Sequence, residues 1–192
     1  MRRSHTIGVW VLATGFIVGV GLGVPARAED REREKAAEAA WEAVVATTLA
    51  NPEEESLPEQ WKRYYDEFQR QPDAPRALYM VAETQFLQRF YNKARKSYQD
   101  FLNRYPNVSF ASSAAYRMGE CAYNQKDYKQ AIELWERQIG RYGSSHLTAE
   151  GLYGQVLCYI ALGKWRDASQ TIDRLARRFP HYRTEKKVRI PL

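Results

Sequence analysis

The chain has 192 residues, enough for one domain and a leader, and its composition is that of a globular protein. The formal net charge of +6 hides an asymmetry, because residues 29–60 are acidic and residues 61–192 are basic. No zinc-protease, nucleophile-elbow or phosphate-loop motif occurs and the three histidines lie far apart, so we expect no enzyme, cofactor or metal site.

Residues 1–28 have the pattern of a secretory signal peptide. A pair of arginines precedes an uncharged apolar stretch over residues 7–24, and an Ala-x-Ala cleavage site ends at Ala28. We therefore predict cleavage after Ala28 and a periplasmic or secreted location. An uncleaved membrane anchor is the alternative, since the stretch reaches the short end of a spanning helix. No cysteine lies near the cleavage point, which argues against a lipid anchor.

Residues 29–57 are predicted to be an acidic helical arm and a linker. Strong helix formers and a narrow apolar stripe favour a helix over residues 29–50, which either docks on the following helices as a cap or remains a separate arm. A helix over about residues 58–70 follows. Its aromatic residues lie 37 positions before those of a later helix, so it is predicted to be the second helix of an unpaired leading half-repeat.

Three helix pairs are predicted to follow, at a period of 37 residues. Tyr79, Tyr116 and Tyr153 stand in one column of the repeat. A fixed period of this length indicates stacked helical repeats. The predicted helices span about 75–89 and 92–105, 110–125 and 128–141, and 147–162 and 165–178. A basic tail over residues 183–192, of open role, ends the chain.

Turn and cap residues agree with these boundaries. Gly163 is placed to end a helix in the left-handed conformation. Ser56 and Glu59 have the spacing of a capping box at the start of the leading helix. The expected N-caps of the paired helices are Asp73, Asn92, Ser109, Asp127 and Ser145.

The second pair resembles a tetratricopeptide repeat, with Gly119 and Ala131 at its small-residue positions and Trp135 at the following aromatic position. The resemblance covers residues 58–182. It implies an all-α, tetratricopeptide-like α-solenoid of three helix pairs plus a leading half-repeat. The repeat core that it implies consists of Ala82, Ala94, Tyr98, Gly119, Ala131, Trp135, Ala168 and Ile172.

Short signatures in the repeats, of the form A-x-Y-x-x-G-E, D-Y-x-x-A-I and R-Y-P, are most similar to bacterial envelope members of this family. One such group is the periplasmic repeat protein associated with the Tol-Pal system. A more distant one is the outer-membrane β-barrel assembly lipoprotein, from which the missing anchor cysteine separates this chain. The first group normally has an N-terminal coiled coil, and residues 29–50 are a poor version of one. The resemblance thus implies a general envelope repeat protein.

By the family's pattern, the first helices of the pairs line a concave groove. Tyrosines there suit recognition of extended or helical peptides, although the recurring tyrosines could instead only pack between first helices. The predicted groove residues are Tyr79, Glu83, Phe86, Tyr116, Arg117, Glu120, Tyr123, Asn124, Tyr153 and Ile160.

The predicted function is a non-enzymatic interaction scaffold that binds another protein or peptide of the cell envelope, in its assembly or maintenance. We expect no nucleic acid partner, and membrane contact only if the leader stays uncleaved. The alternative is a membrane-tethered structural subunit that oligomerises through residues 7–50.

Cys121 and Cys158 occupy equivalent positions on neighbouring first helices. Packed helices have axes about 8–10 Å apart, whereas a disulfide needs Cα atoms within roughly 7 Å. The spacing therefore favours two buried free thiols over a bond.

Overall fold

The computed structural model describes residues 26–182. Its eight α-helices are α1 (Ala26–Ala50), α2 (Leu57–Glu67), α3 (Ala74–Leu87), α4 (Tyr91–Arg104), α5 (Ala111–Asn124), α6 (Tyr128–Arg141), α7 (Leu147–Ala161) and α8 (Trp165–Arg178). Each helix packs on the next, and these residues contain no strand. The predicted all-α solenoid is confirmed, and the ends of α2 to α8 differ from the predicted ones by at most three residues. Most of the predicted signal peptide and the whole basic tail lie outside the described residues.

The acidic arm docks on the repeats. The Trp41 ring in α1 meets the rings of Trp61 and Tyr64 in α2 edge-on, with centroids 5.1 and 5.3 Å apart. The indole N–H of Trp61 donates to the Thr48 hydroxyl at 3.2 Å. Of the two alternatives for residues 29–50, the structure thus has the docked helix. Because α1 packs on α2, the leading helix that the sequence left unpaired has a partner.

The turn inside each of the three later pairs has the same backbone. Arg89, Lys126 and Gly163 stand 37 residues apart and adopt left-handed φ values of 62°, 62° and 68°. At the second turn, the amide of Lys126 donates to Tyr123 O at 2.8 Å and the next amide donates to Ala122 O at 2.9 Å. This is the Schellman pattern, which pairs helix-end carbonyls that would otherwise lack a donor. From the sequence, a left-handed helix end was predicted only at Gly163.

Some of the predicted helix N-caps are confirmed. Asp127 is the N-cap of α6, and its carboxylate accepts from the Gln130 amide at 3.1 Å. Asp73 stands at the N-cap of α3, but its side chain makes no capping bond. Ser56 is the N-cap of α2 without forming the predicted capping box, since its hydroxyl donates to Glu54. Prolines in the first turns of α2 and α3 set the backbone there instead.

Three predicted N-caps are wrong. The helices α4, α5 and α7 begin after Phe90, Phe110 and His146, and not after Asn92, Ser109 and Ser145. Packing explains the shift for α5, because the Phe110 ring lies 5.3 Å from Tyr79 and 5.4 Å from Phe101. Burial of a large ring stabilises more than a serine cap does.

The centre of the solenoid is the indole of Trp135, which is only 2% exposed. It lies between two glycines of neighbouring first helices. A Cβ on Gly119 would overlap the indole nitrogen, and a Cβ on Gly154 would lie 2.6 Å from the six-membered ring. The indole N–H donates to Tyr116 O at 3.1 Å. Helices α5, α6 and α7 can therefore pack closely around the indole only because positions 119 and 154 lack a side chain.

The residues predicted to form the repeat core do not all have the same surroundings. Ile172 on α8 is only half-buried, since no helix follows α8 within residues 26–182. The other members are buried, and they are Ala82, Ala94, Tyr98, Gly119, Ala131, Trp135 and Ala168.

Replacement of Gly154 by alanine should lower the free energy of unfolding by about 1–3 kcal/mol through overpacking against Trp135. Gly140→Ala is the matched control, because a Cβ there has nothing within 4 Å. It should raise stability by about 0.5–1 kcal/mol, since alanine is the better helix former. Urea unfolding of both variants measures the two effects. Equal effects in the two variants would contradict the packing described for Trp135.

Lys126→Gly should stabilise the chain by about 0.5–1 kcal/mol, because a left-handed backbone is unfavourable for any residue with a Cβ. Gly163→Ala should destabilise it by a similar amount, roughly 1 kcal/mol. Thermal unfolding monitored by circular dichroism checks both. A loss of stability in Lys126→Gly would show that the side chain, not the backbone, matters at this turn.

Candidate partner-binding groove

The predicted groove residues lie on the three first helices α3, α5 and α7. Asn124 is exposed, and the other nine are half-buried. Neighbouring first helices meet along lines of contact that we call seams. The α3–α5 and α5–α7 seams bring most of the predicted residues together, and they do so with different chemistry.

Arg117 dominates the α3–α5 seam. Its Nε donates to Glu83 at 3.2 Å and its Nη1 donates to Glu120 at 2.7 Å. The guanidinium also lies 4.8 Å from the centroid of the Phe86 ring, a cation–π distance. Burial alone would lower the pKa of Arg117, but the two carboxylates raise it. Four predicted groove residues thus form one cluster whose charges largely satisfy each other.

A buried tyrosine supports this cluster from α4. Tyr98 is fully buried, and its hydroxyl donates to Glu83 at 2.5 Å. Burial first and the Glu83 carboxylate second raise the pKa of Tyr98 far above its usual range, so the hydroxyl stays protonated. Tyr79 lies beside it, with its ring 5.8 Å from Tyr98 and 5.6 Å from Phe101. Tyr79 therefore contributes mainly to packing.

The α5–α7 seam is built on Trp135. Tyr116 stacks on the indole with centroids 6.1 Å apart, and Tyr123 contacts it from a tilted orientation at the same distance. Burial first, then Glu120 and Glu150, raise the pKa of Tyr116, so its hydroxyl is a neutral donor and acceptor. Both tyrosines pack on the core and keep part of their surface exposed.

The groove is bordered at α7 by Glu150 and Tyr182, which were not predicted from the sequence. The Tyr182 hydroxyl, from the chain just after α8, donates to Glu150 at 2.7 Å. Its ring lies 6.3 Å from that of Tyr153. Burial first and the Glu150 carboxylate second raise the pKa of Tyr182. Tyr182 belongs to no column of the repeat, so periodicity could not have found it.

Metal ions and nucleophilic thiols are common means of catalysis. No group of three His, Cys, Asp or Glu residues there could hold a metal ion. Cys121 and Cys158 are buried free thiols, and burial raises the pKa of each to about 12, which makes them poor nucleophiles. No helix within residues 26–182 combines the length and the apolar character needed to cross a membrane.

Arg117→Met should lower the free energy of unfolding by about 1–3 kcal/mol, because Glu83 would lose its cation while only 15% exposed. Arg174→Met is the matched control. Its ion pair with Glu136 lies at 3.0 Å with side chains 42% and 53% exposed, so the loss should stay below about 0.5 kcal/mol. Chemical unfolding of both variants at neutral pH measures the difference. Similar losses in both would refute a structural role for the Arg117 cluster.

Solved structures with a similar fold include those of MamA proteins. The MamA RS-1 ArsTM double mutant is 18% identical, with a TM-score of 0.58 and 76% of each chain covered. MamA 41-end from Desulfovibrio magneticus RS-1 is 20% identical, with a TM-score of 0.55 and the same coverage. MamA AMB-1 C2221 is 13% identical, with a TM-score of 0.55, and covers 73% of this chain and 77% of that one. At these identities the likeness is one of fold.

Sequence comparison supplies the family. Curated proteins give no match to the chain. A family model described as "YfiO: Outer membrane lipoprotein" matches residues 71–182, which is more than half of the chain and includes α3 to α8. This description agrees with the more distant of the two envelope groups that the repeat signatures suggested, so the separation from that group by the missing anchor cysteine does not hold at the level of the family. The chain belongs to the YfiO family of outer membrane lipoproteins.

Proposed function

We propose that this protein is a non-enzymatic interaction scaffold of the cell envelope, which binds a segment of another protein in the groove of its solenoid. The observation that carries the proposal is the arrangement of Tyr116, Tyr123 and Tyr153 on packed first helices. Each ring is fixed by an aromatic neighbour and each is only half-buried. Tyrosines held in this way give contact area and hydrogen bonds at little entropic cost.

We assign two roles to eight of the ten predicted groove residues. Glu83, Arg117 and Glu120 satisfy one another and hold α3 against α5. The partner then contacts the polar edges of the tyrosines on α5 and α7. The residues proposed to touch it are Tyr116, Tyr123, Asn124, Tyr153 and Ile160.

Location in the envelope is supported by the family description and by the signal-like leader. We propose a periplasmic solenoid, with cleavage after Ala28, that acts in envelope assembly or maintenance. Oligomerisation through residues 7–50 has less support, because Trp41 and Val44 of α1 are already used in packing within the chain.

Removal of the two hydroxyls in a Tyr116→Phe/Tyr123→Phe variant should weaken capture of the partner from an envelope extract by about tenfold. The rings that pack on Trp135 remain, so helicity and stability should be unchanged. Tyr159→Phe is the matched control, because Tyr159 also lies on a first helix, α7, but is close to Asp167 of α8 and Glu136 of α6. Capture at wild-type level by the double variant would mean that these tyrosines only pack.

A further inference from the structure

The same repeat positions fill the seams between first helices in different ways. In the α3–α5 seam, Arg117 occupies the space between Glu83 and Phe86. In the α5–α7 seam, the residue 37 positions after Arg117 is Gly154, and Trp135 fills the space. We also call the contact between α1 and α3 a seam; the residues 37 positions before Arg117, Glu83 and Phe86 are Met80, Ala46 and Leu49, of which Ala46 is exposed. This set provides neither an ion pair nor a glycine that permits close approach.

The α1–α3 seam is open. An apolar cleft of about 380 Å³ lies between the two helices, with Trp61 of α2 also in its wall. Leu49 at its edge is 79% exposed, although large aliphatic side chains are usually buried. The residues that line this cleft are Trp41, Val45, Thr48, Leu49, Trp61, Arg76 and Met80.

A second cleft lies nearer the N-terminus of α1, between that helix, Tyr64 of α2 and the loop at residues 71–73. It has a volume of about 550 Å³ and shares Trp41 with the apolar cleft. Its charged lining consists of four carboxylates, Glu34, Glu38, Glu42 and Asp73, and two cations, Arg31 and Lys35. Lys35 is already paired with Glu32 at 3.0 Å. The surface along α1 therefore offers unpaired negative charge beside an apolar slot.

We propose that these two adjoining clefts along α1, together called the cleft, bind a basic amphipathic helix of the partner protein. The inference rests on the proposed scaffold function and names the chemistry of the segment that is bound. The lining residues of α1 run from Arg31 to Leu49, a helical length of about 27 Å, which matches a helix of four to five turns. Apolar side chains of that helix lie against Trp41, Val45 and Met80, and its basic side chains face the four carboxylates.

The test uses the full chain and fluorescent peptides of about 14 residues, roughly four helical turns. One peptide places leucines on one face and lysines on the other. The second replaces lysine with glutamate, and the third scrambles the first so that no amphipathic face remains. Fluorescence anisotropy at low and high salt gives the affinities. We expect only the first peptide to bind, with an affinity that falls as salt rises.

Two pairs of variants locate the binding. Glu38→Lys/Glu42→Lys should weaken binding of the leucine–lysine peptide by at least about tenfold, whereas Glu133→Lys on α6 should leave it unchanged. Leu49→Ser should weaken it by about threefold or more, whereas Leu87→Ser at the end of α3 should not. Both leucines are exposed, so neither change threatens the fold.

Several results would overturn the proposal. These are equal binding of the glutamate or scrambled peptide, no binding of any peptide, and unchanged affinity in the Glu38→Lys/Glu42→Lys variant. Analytical sedimentation can give a further result that would overturn the proposal. If the chain forms a dimer that this variant dissociates, the occupant of the cleft is a second copy and not a partner helix.

The groove proposal and the cleft proposal can be refuted separately. The Tyr116→Phe/Tyr123→Phe variant should bind the leucine–lysine peptide as the wild type does, because neither residue lines the cleft. If the peptide fails to bind while that variant still loses its envelope partner, only the cleft proposal is wrong. If partner capture depends on Glu38 and Glu42 but not on the two tyrosine hydroxyls, the groove proposal is wrong and the cleft proposal stands.

Discussion

The packing of Trp135 between Gly119 and Gly154 is the constraint on which the middle of the solenoid depends. One indole from α6 sets the distance between α5 and α7, and its N–H fixes its orientation through Tyr116 O. The same indole is the surface on which Tyr116 and Tyr123 rest. The geometry of the proposed groove is therefore a consequence of core packing.

From the N-terminus to the C-terminus, the seams between helices change from open to closed. Close approach on Trp135 closes the α5–α7 seam, and a half-buried ion cluster around Arg117 closes the α3–α5 seam. The α1–α3 seam instead holds an apolar cleft, and a second, acidic cleft adjoins it at Trp41. A solenoid of equivalent repeats can thus combine a rigid groove at one end with an unfilled site at the other.

The sequence predicted the fold because the period of 37 residues constrains many positions at once. This period predicts where the helices end, which small residues lie at helix contacts, and that Gly163 ends a helix. It could not predict contacts that only one repeat makes, such as the Tyr182–Glu150 bond or the role of Gly154. The left-handed Arg89 and Lys126 were missed for another reason, because the turn imposes that backbone on residues without a glycine's preference for it. An apolar stripe was predicted over residues 29–50, but the cleft beside Trp41 depends on the spacing of two helices.

A double-mutant cycle between Trp135 and Gly154 tests this account most directly. Gly154→Ala is measured in the wild type and in a Trp135→Leu background, where the smaller side chain leaves room for the new methyl group. We predict that the destabilisation largely disappears in that background, with a coupling free energy of about 1 kcal/mol or more. Additive effects of the two changes would contradict the account, because the glycine would then not be required by the indole.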